Sequence, residues 1–214
     1  MKLAIFYHCL LTGHIMPIET EFACSILQEQ MTALMRIGLL DAAEKFYVGL
    51  NGDEEAAQIA RLFLPPKAKI IVHGTKALTE IPTLAFLRSW LPGHEDWKVI
   101  YFHMKSVSHP GEASYTNWRH RMEQAVILRW RECVAHLDTG MDACGCHWLT
   151  PEQYPGRVIR TPYFGGNFWW ATAKYLLTLP PLPEDTYYNR FAAESWIGTG
   201  PSRPRVIDYC PGWP

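Results

Sequence analysis

Short apolar runs that end in polar loops alternate with amphipathic segments along most of this chain, and this alternation restricts the fold more than any other feature. The runs at 2–11, 45–50, 67–72 and 98–103 are rich in β-branched and aromatic residues, as is typical of buried strands. The segments between them place apolar residues at helical spacing. Repeated strand–helix–strand units predict a single α/β domain with a largely parallel central sheet flanked by helices.

The remaining segments complete this prediction. The predicted helices span residues 17–37, 54–59, 79–90, 115–137, 169–179 and 187–197, and a short additional strand spans residues 141–146. A proline-rich stretch at 180–183 separates the last two predicted helices, and four prolines follow Gly200. We therefore expect one domain, residues 1–198, followed by an extended proline-rich tail, residues 199–214.

The composition favours a ligand cleft lined with rings, because nine tryptophans among 214 residues are more than packing demands. The apolar content of 48% is ample for a core. A net charge of −1 provides no overall basic field to attract nucleic acid. Arginines cluster between residues 119 and 131, which an ordinary solvated helix face explains better than a local nucleic-acid patch.

The six cysteines are irregularly spaced and form no C-x-x-C pair. Cys144 and Cys146 with His147 resemble half of a zinc site, but a second ligand pair is missing, and buried free thiols are the preferred interpretation. The first residues show no cleavage pattern of a signal peptide, and no run approaches transmembrane length. We expect a reducing, cytoplasmic compartment, which is the host cytoplasm if the protein is viral.

The carboxyl ends of the predicted parallel strands are the expected place for a ligand. Four polar loops follow these strands, at 8–14, 51–54, 73–76 and 103–108, and three of them carry a histidine. His103 and Lys105 alternate along one strand end and therefore point the same way, which suits a phosphate or diphosphate. A solvated strand end explains the same two residues equally well.

The segment 163–171 contains two glycines, an amide and a tryptophan pair within nine residues. Gly166 allows close backbone approach or positive φ, and Asn167 supplies an amide that donates and accepts. The flat indoles of Trp169 and Trp170 suit sugar rings or bases. The alternative is a tight turn capped by two core tryptophans, which leaves the Gly-Gly-Asn sequence less well explained.

Three further side chains are candidates for chemistry. Arg119 lies near the start of a long predicted helix, whose free N–H groups attract anions. Asp142 could hold a metal or a sugar hydroxyl, although turn chemistry also accounts for the aspartates around Gly140. Glu194, beside Trp196, is a candidate general base, and an exposed helix glutamate is the alternative.

Several common catalytic motifs do not occur in the sequence. There is no G-x-S-x-G, no Walker loop, no G-x-G-x-x-G and no H-E-x-x-H. Serine hydrolases, nucleotide triphosphatases and dinucleotide-dependent dehydrogenases therefore lose support.

Taken together and in order, the motifs resemble those of small glycosyltransferase-like proteins of bacteria and viruses with a GT-A-type fold. Any single match is weak, whereas the ordered set extends from the first strand nearly to the tail. The matching segments are Phe-Tyr-His at 6–8, Glu-Gln at 29–30, Gly-Leu-Leu-Asp at 38–41, Val-Gly-Leu-Asn-Gly at 48–52, Tyr-Phe-His-Met-Lys at 101–105, Trp-Arg-x-x-Met at 118–122, Gly-Asn-Phe-Trp-Trp-Ala at 166–171 and Glu-x-Trp-Ile-Gly at 194–198.

The resemblance implies a GT-A-like (Rossmann-like) domain that transfers a sugar from a nucleotide-diphosphate sugar, a UDP-sugar above all, to an acceptor hydroxyl. It places His103 and Lys105 near the donor diphosphate and makes Glu194 the base. It assigns two further groups of residues: Tyr7, His8, Asn51 and Gly52 to the nucleotide, and Asn167, Trp169 and Trp170 to the sugar or acceptor pocket.

One departure from the family concerns the metal. GT-A enzymes usually bind a divalent metal on the diphosphate through Asp-x-Asp, and this sequence contains no Asp-x-Asp. Cationic side chains at 103–105 could replace the metal, or Asp142 could be a lone ligand. Metal dependence therefore stays open.

The acceptor and the class of function also stay open. A surface glycan and a hydroxymethylated DNA base both offer a hydroxyl, and a flipped base would need aromatic stacking partners. A non-catalytic module that binds carbohydrate or nucleotide would keep the tryptophans without needing Glu194. A zinc protein using Cys144, Cys146 and His147 is the weakest alternative.

Overall fold

A seven-stranded sheet forms the centre of the protein in a computed structural model that describes residues 1–11, 19–74, 79–153, 161–182 and 190–211. Its strands span Lys2–Leu10 (β1), Lys45–Asn51 (β2), Ala68–Gly74 (β3), Trp97–His103 (β4), Ala143–Gly145 (β5), Trp169–Thr172 (β8) and Val206–Asp208 (β9). Their order across the sheet is β3-β2-β1-β4-β8-β5-β9. The first four strands are parallel, and β8 runs antiparallel to both β4 and β5. This confirms the predicted α/β class with a largely parallel sheet.

Helices cover both faces of the sheet. One face packs against Thr20–Arg36 (α1), Leu39–Ala42 (α2), Glu54–Arg61 (α3), Ala113–Glu123 (α5) and Trp130–Asp138 (α6). The other packs against Ile81–Trp90 (α4), Ala173–Leu177 (α7) and Arg190–Ser195 (α8). Successive residues of β1 alternate between the two cores, with Ile5 and Tyr7 in the first and Phe6 in the second. Burial on both faces explains why this strand is a continuous apolar run rather than an alternating one.

The long helix predicted at 115–137 is interrupted. A π-helical turn, Gln124–Leu128, separates α5 from α6. The carbonyl of Val126 in this turn accepts a hydrogen bond of 2.7 Å from the indole N–H of Trp170 on β8. The turn therefore presents a backbone acceptor to a buried indole that would otherwise lack a partner.

The helix predicted at 169–179 is wrong in its first part. Trp169, Trp170 and the two residues that follow form β8, and only Ala173–Leu177 is helical. The two tryptophans point into opposite cores, which is the period-two alternation of a strand. The hydroxyl of Thr172 accepts a bond of 3.1 Å from the Tyr175 N–H and begins α7.

The proline-rich tail predicted from residue 199 contributes a strand. β9 pairs in parallel with β5, and the Arg205 N–H donates to the Asp142 carboxylate at 2.8 Å. A separate two-stranded ribbon consists of Trp148–Leu149 (β6) and Tyr163–Phe164 (β7). Within the described residues, no helix combines the length and the apolarity that crossing a bilayer requires. Predicted residues that lie outside the described ones are 12–14, 17–18, 75–76, 183, 187–189 and 212–214.

Candidate functional site

A cleft of about 260 Å³ opens at the carboxyl ends of β1 and β4. Its walls come from four places: the ends of these strands, the segment before α4, the first half of α5 and the helix α8. Its lining includes the side chains of His8, Glu80, His103, Lys105, Tyr115, Trp118 and Glu194. The cleft thus lies where the parallel-sheet rule predicts a ligand.

Four of the sequence-predicted residues line this cleft together, namely His8, His103, Lys105 and Glu194. His8 and His103 are register partners on adjacent parallel strands, so the sheet itself holds the two imidazoles side by side. Lys105 follows β4 directly, and Glu194 reaches the cleft from α8 on the opposite core. Residues 8, 103 and 194 are far apart in sequence, and only the sheet topology brings them together.

His103 is held by a hydrogen bond at one ring nitrogen and lies beside a carboxylate at the other. Its Nε2 lies 2.8 Å from the carbonyl of Gly166, and because a carbonyl only accepts, Nε2 carries the proton. Its Nδ1 lies 3.4 Å from Oε1 of Glu80. The ring is therefore oriented by the protein before any ligand binds.

Glu80 is the carboxylate on which several donors of the cleft wall converge. The amide of Asn167 donates to its Oε2 at 2.5 Å, and the hydroxyl of Tyr101 lies 3.4 Å from the same oxygen. Burial, and secondly the Glu80 carboxylate, raise the pKa of Tyr101 well above its usual value, so this hydroxyl remains a donor. The carboxylate is thus held in one orientation at the cleft.

The Gly-Gly-Asn turn supports this carboxylate. Asn167 has φ of 59° and is almost completely buried. Its Oδ1 accepts a bond of 2.8 Å from the indole N–H of Trp169, which fixes the amide so that its N–H groups face Glu80. Gly166, at φ 86°, has no room for a side chain, since a Cβ there would lie 2.4 Å from Sδ of Met122. The turn holds the wall of the cleft from behind.

The predicted tryptophans take a different position from the cleft rings. Trp169, Trp170 and Trp196 are core residues with 2% or less of their surface exposed, and their indole N–H groups bond to Asn167, Val126 and Pro180. The indole that lines the cleft is that of Trp118, and the ammonium of Lys105 lies 4.2 Å from the centroid of this indole ring. Among the described residues the buried Trp118 N–H has no hydrogen-bond partner.

A second histidine arrangement lies behind His8. The His8 Nδ1 lies 2.8 Å from the Thr83 hydroxyl, and that hydroxyl lies 3.2 Å from Nε2 of His73. Burial, then the neighbouring His103 and His73, hold the pKa of His8 well below its usual value. Burial also lowers the pKa of His73 to about 4. Both rings are therefore neutral at neutral pH.

Tyr7 and Arg119 lie in a buried polar network beneath the cleft. The Tyr7 hydroxyl donates to Gln30 at 2.7 Å. The guanidinium of Arg119 contacts Glu29 and Glu123 at 2.9 and 3.0 Å. Glu29 and Glu123 with His120 have the spacing of metal ligands. Because the guanidinium is hydrogen-bonded to both carboxylates, its single positive charge already balances part of the negative charge that would attract a metal.

Asn51 and Gly52 also lie at the rim but not in the cleft lining. The Asn51 amide donates to the carbonyl of Thr79 at 3.0 Å and so holds the residue before Glu80. Gly52 bridges to Gly74 through its backbone. Asp142 lies at the other end of the sheet, because the adjacent Ala143 pairs through β8 with the amino-terminal half of β4.

The cysteines are free thiols. The Cys144 thiol donates to the carbonyl of Cys133 at 3.6 Å. Hydrogen bonding with Cys133 is the largest cause that raises the pKa of Cys144, and burial is the second. In the described part of the chain, the one group with metal-ligand spacing contains neither Cys144, Cys146 nor His147.

Sequence reasoning missed Glu80 and the Thr83–His73 contact. Glu80 falls inside the helix predicted at 79–90, whereas α4 begins at Ile81, so the residue lies at the cleft before the helix. Thr83 gave no signal, because its hydroxyl looks like any helix threonine until α4 is laid on β1. The glycine opposite it, Gly49, was visible within a strand, where glycine often marks a close approach.

Three comparisons place the chain among known proteins. A family model described as a domain of unknown function (DUF8361) matches residues 6–185. No curated protein matches the sequence significantly. A solved structure of CMP:2-keto-3-deoxy-manno-octonic acid synthetase complexed with CTP is similar, with 11% identity, coverage of 98% of this chain and 90% of that one, and a TM-score of 0.49. A structure of 4-diphosphocytidyl-2C-methyl-D-erythritol synthase has 13% identity, coverage of 97% and 87%, and a TM-score of 0.42.

Proposed function

This chain belongs to the DUF8361 family, a domain of unknown function, and we propose that it is a glycosyltransferase that moves a sugar from a nucleotide-diphosphate sugar to an acceptor hydroxyl. One observation carries the proposal: a fixed ammonium, two carboxylates and three imidazoles, among them His8 and His103, line a single cleft at the carboxyl ends of the parallel strands. Displacement at an anomeric carbon requires stabilisation of a leaving diphosphate and removal of a proton from the acceptor.

Lys105 is the group proposed to hold the diphosphate. Its ammonium is positioned over Trp118 rather than free in solvent, so little ordering is needed when a phosphate binds. His8 borders the same space and, as a neutral ring, can donate an N–H from Nε2 to the diphosphate in one of its two tautomers, while His103, bonded to Gly166, forms the wall beside it. A UDP-sugar is the proposed donor, and the Lys105 ammonium over the Trp118 ring would face its diphosphate.

Glu194 is proposed to take the proton of the acceptor hydroxyl. It lines the cleft from α8, a different element from the one that carries Lys105. Attack and departure on opposite sides of the anomeric carbon require such a separation. The acceptor is a glycan hydroxyl or, if the protein is viral, a hydroxymethylated DNA base.

The chemistry is proposed to need no divalent metal. The sequence has no Asp-x-Asp, and Lys105 follows β4 in the place where that motif would be sought. A fixed cation can supply the charge that a metal otherwise gives to the leaving group. Transfer that continues undiminished in excess EDTA supports this point, and loss of transfer restored by Mn²⁺ or Mg²⁺ contradicts it.

The direct test is binding and transfer with a panel of UDP- and GDP-sugars, measured by thermal shift and by release of the nucleoside diphosphate. We expect one donor to raise the melting temperature of the protein and Lys105→Ala to abolish that rise. The matched control is Lys174→Ala, which removes an exposed lysine on α7. The proposal fails if no donor shifts the melting temperature.

The role of Glu194 is tested separately. Glu194→Gln should keep donor binding and lose transfer about 100-fold or more, whereas Glu132→Gln on the exposed side of α6 should change neither. Salt-dependent retention on duplex DNA would favour the DNA acceptor over a glycan. Donor binding without transfer to any acceptor would identify a non-catalytic binding module instead.

A further inference from the structure

A continuous hydrogen-bonded chain leads from the cleft into the sheet through three side chains. His8 lines the cleft and contacts the Thr83 hydroxyl through Nδ1 at 2.8 Å. The same hydroxyl contacts Nε2 of His73 at 3.2 Å. These residues come from β1, α4 and β3, so the chain spans three elements that are distant in sequence.

Packing around this chain is specific to it. Gly49 of β2 lies opposite, and a Cβ at this position would be 2.0 Å from the Thr83 hydroxyl oxygen and 2.6 Å from Nε2 of His73. Any other residue at 49 would therefore separate the three groups. The strand between β1 and β3 lacks a side chain where the hydrogen bonds pass.

Neutral imidazoles leave two proton arrangements in this chain. A neutral ring has one N–H, and a hydroxyl donates once while accepting as well. Either His8 Nδ1 donates to Thr83 and Thr83 donates to His73, or His73 donates to Thr83 and Thr83 donates to His8. In the first arrangement the Nε2 of His8 accepts, and in the second it carries a proton.

We propose that His8, Thr83 and His73 form a proton relay that removes from the cleft the proton released by each sugar transfer. This inference rests on the proposed function, in which the acceptor O–H bond breaks and Glu194 takes the proton. Glu194 then passes it to His8 Nε2, the Nδ1–H of His8 moves to the Thr83 oxygen, and the original hydroxyl proton moves to His73 Nε2. No electrons are transferred. His73 holds the proton as an imidazolium until the products leave, and the same steps in reverse then return the proton to His8 Nε2 and from there to water in the cleft.

The direction of the relay follows from burial. His8 is almost completely buried and faces two other imidazoles, His103 and His73, so a charge on its ring is strongly disfavoured. His73 is only partly buried. The relay lets His8 accept a proton without keeping the charge, because the charge appears at the less buried end.

Nitrogen-15 NMR of the histidine rings tests the relay without any assay of activity. In the wild-type protein, acidification should produce the imidazolium signature at His73 while His8 stays neutral and changes tautomer. In Thr83→Val the two rings should lose this coupling, and in Thr83→Ser they should keep it. Unchanged tautomer populations in Thr83→Val, or direct charging of His8 in the wild type, would overturn the relay.

Kinetics then connect the relay to transfer. Thr83→Val should lower kcat about 10-fold or more with the KM for donor unchanged, and Thr83→Ser should restore kcat. If the rings are coupled in the wild-type protein but Thr83→Val keeps full activity, the relay has no role in turnover. Coupled rings in a protein that binds no nucleotide sugar would keep the relay and reject the glycosyltransferase.

Discussion

Asn167 links the signature turn of the sequence to the cleft. Its amide accepts from Trp169 and donates to Glu80, and its backbone has a positive φ of 59°. Asn is one of the few residues besides glycine that adopts this conformation readily. One residue therefore provides both the turn geometry and the orientation of the Glu80 carboxylate in the cleft.

Substitution of Asn167 separates these two contributions. Asn167→Gly keeps the positive φ and removes the amide, which leaves the Trp169 N–H unpaired and should lower the free energy of unfolding by about 1–3 kcal/mol. Asn167→Ala adds backbone strain of about 1–2 kcal/mol. Urea unfolding of both variants measures the difference. Equal stability of the two variants would contradict the backbone part, and wild-type stability of Asn167→Gly would contradict the amide part.

The two buried histidines predict acid sensitivity. The folded-state pKa of His73, about 4, lies below the unfolded value of about 6.5, and that of His8 is also well below it. Below pH 6.5 the unfolded chain therefore binds more protons than the folded one, so stability falls as pH falls toward 4. The slope should approach roughly 1.4 kcal/mol per pH unit for each histidine.

Urea unfolding at several pH values between about 7.5 and 4.5 measures this slope. His73→Gln should make the curve shallower, because it removes the imidazole whose pKa is lowered to about 4 in the folded state. A slope in His73→Gln equal to the wild-type slope would show that His73 is not responsible.

At the level of elements, the sequence predicted the first four strands to within a few residues, because strands buried on both faces are continuous apolar runs. It failed at β8, where four residues directly precede α7, since so short a run does not distinguish strand from helix. It placed His8 and His103 at the carboxyl edge of the sheet, because both residues follow or end predicted parallel strands. Glu80 could not be predicted, because it is held by Asn167, a residue 87 positions away.

The contact between β2 and α4 depends on Gly49. Gly49→Ala would place a Cβ 2.0 Å from the Thr83 hydroxyl, so α4 or β2 must shift, at an expected cost of about 1–3 kcal/mol in unfolding free energy. Combining it with Thr83→Ala removes that oxygen and should recover part of the loss. Thermal or urea unfolding of the single and double variants tests this. A fully additive double variant would contradict direct contact.

At the scale of the whole molecule, one sheet separates two hydrophobic cores, and β9 is the strand at one edge of this sheet. The carboxylate of Asp208 on β9 accepts from the N–H groups of His147 and Trp148 at 2.7 and 2.9 Å. The Tyr209 N–H donates to the carbonyl of Gly145. The C-terminal residues thus satisfy backbone donors and acceptors that lie beside β5, and through β5 and β8 they are connected to β4 and the cleft.

Removal of residues 205–214 should therefore destabilise the whole domain rather than trim a tail. The truncation deprives β5 of its ladder partner and Asp142 of the Arg205 N–H, so we expect a single unfolding transition at a clearly lower urea midpoint. Asp208→Ala, which keeps β9 but leaves two N–H groups without their carboxylate, should lose about 1–3 kcal/mol. An unchanged midpoint after truncation would show that residues 1–204 are stable without β9. Donor binding measured on the same proteins would then show whether the cleft, at the far side of β8, depends on this edge.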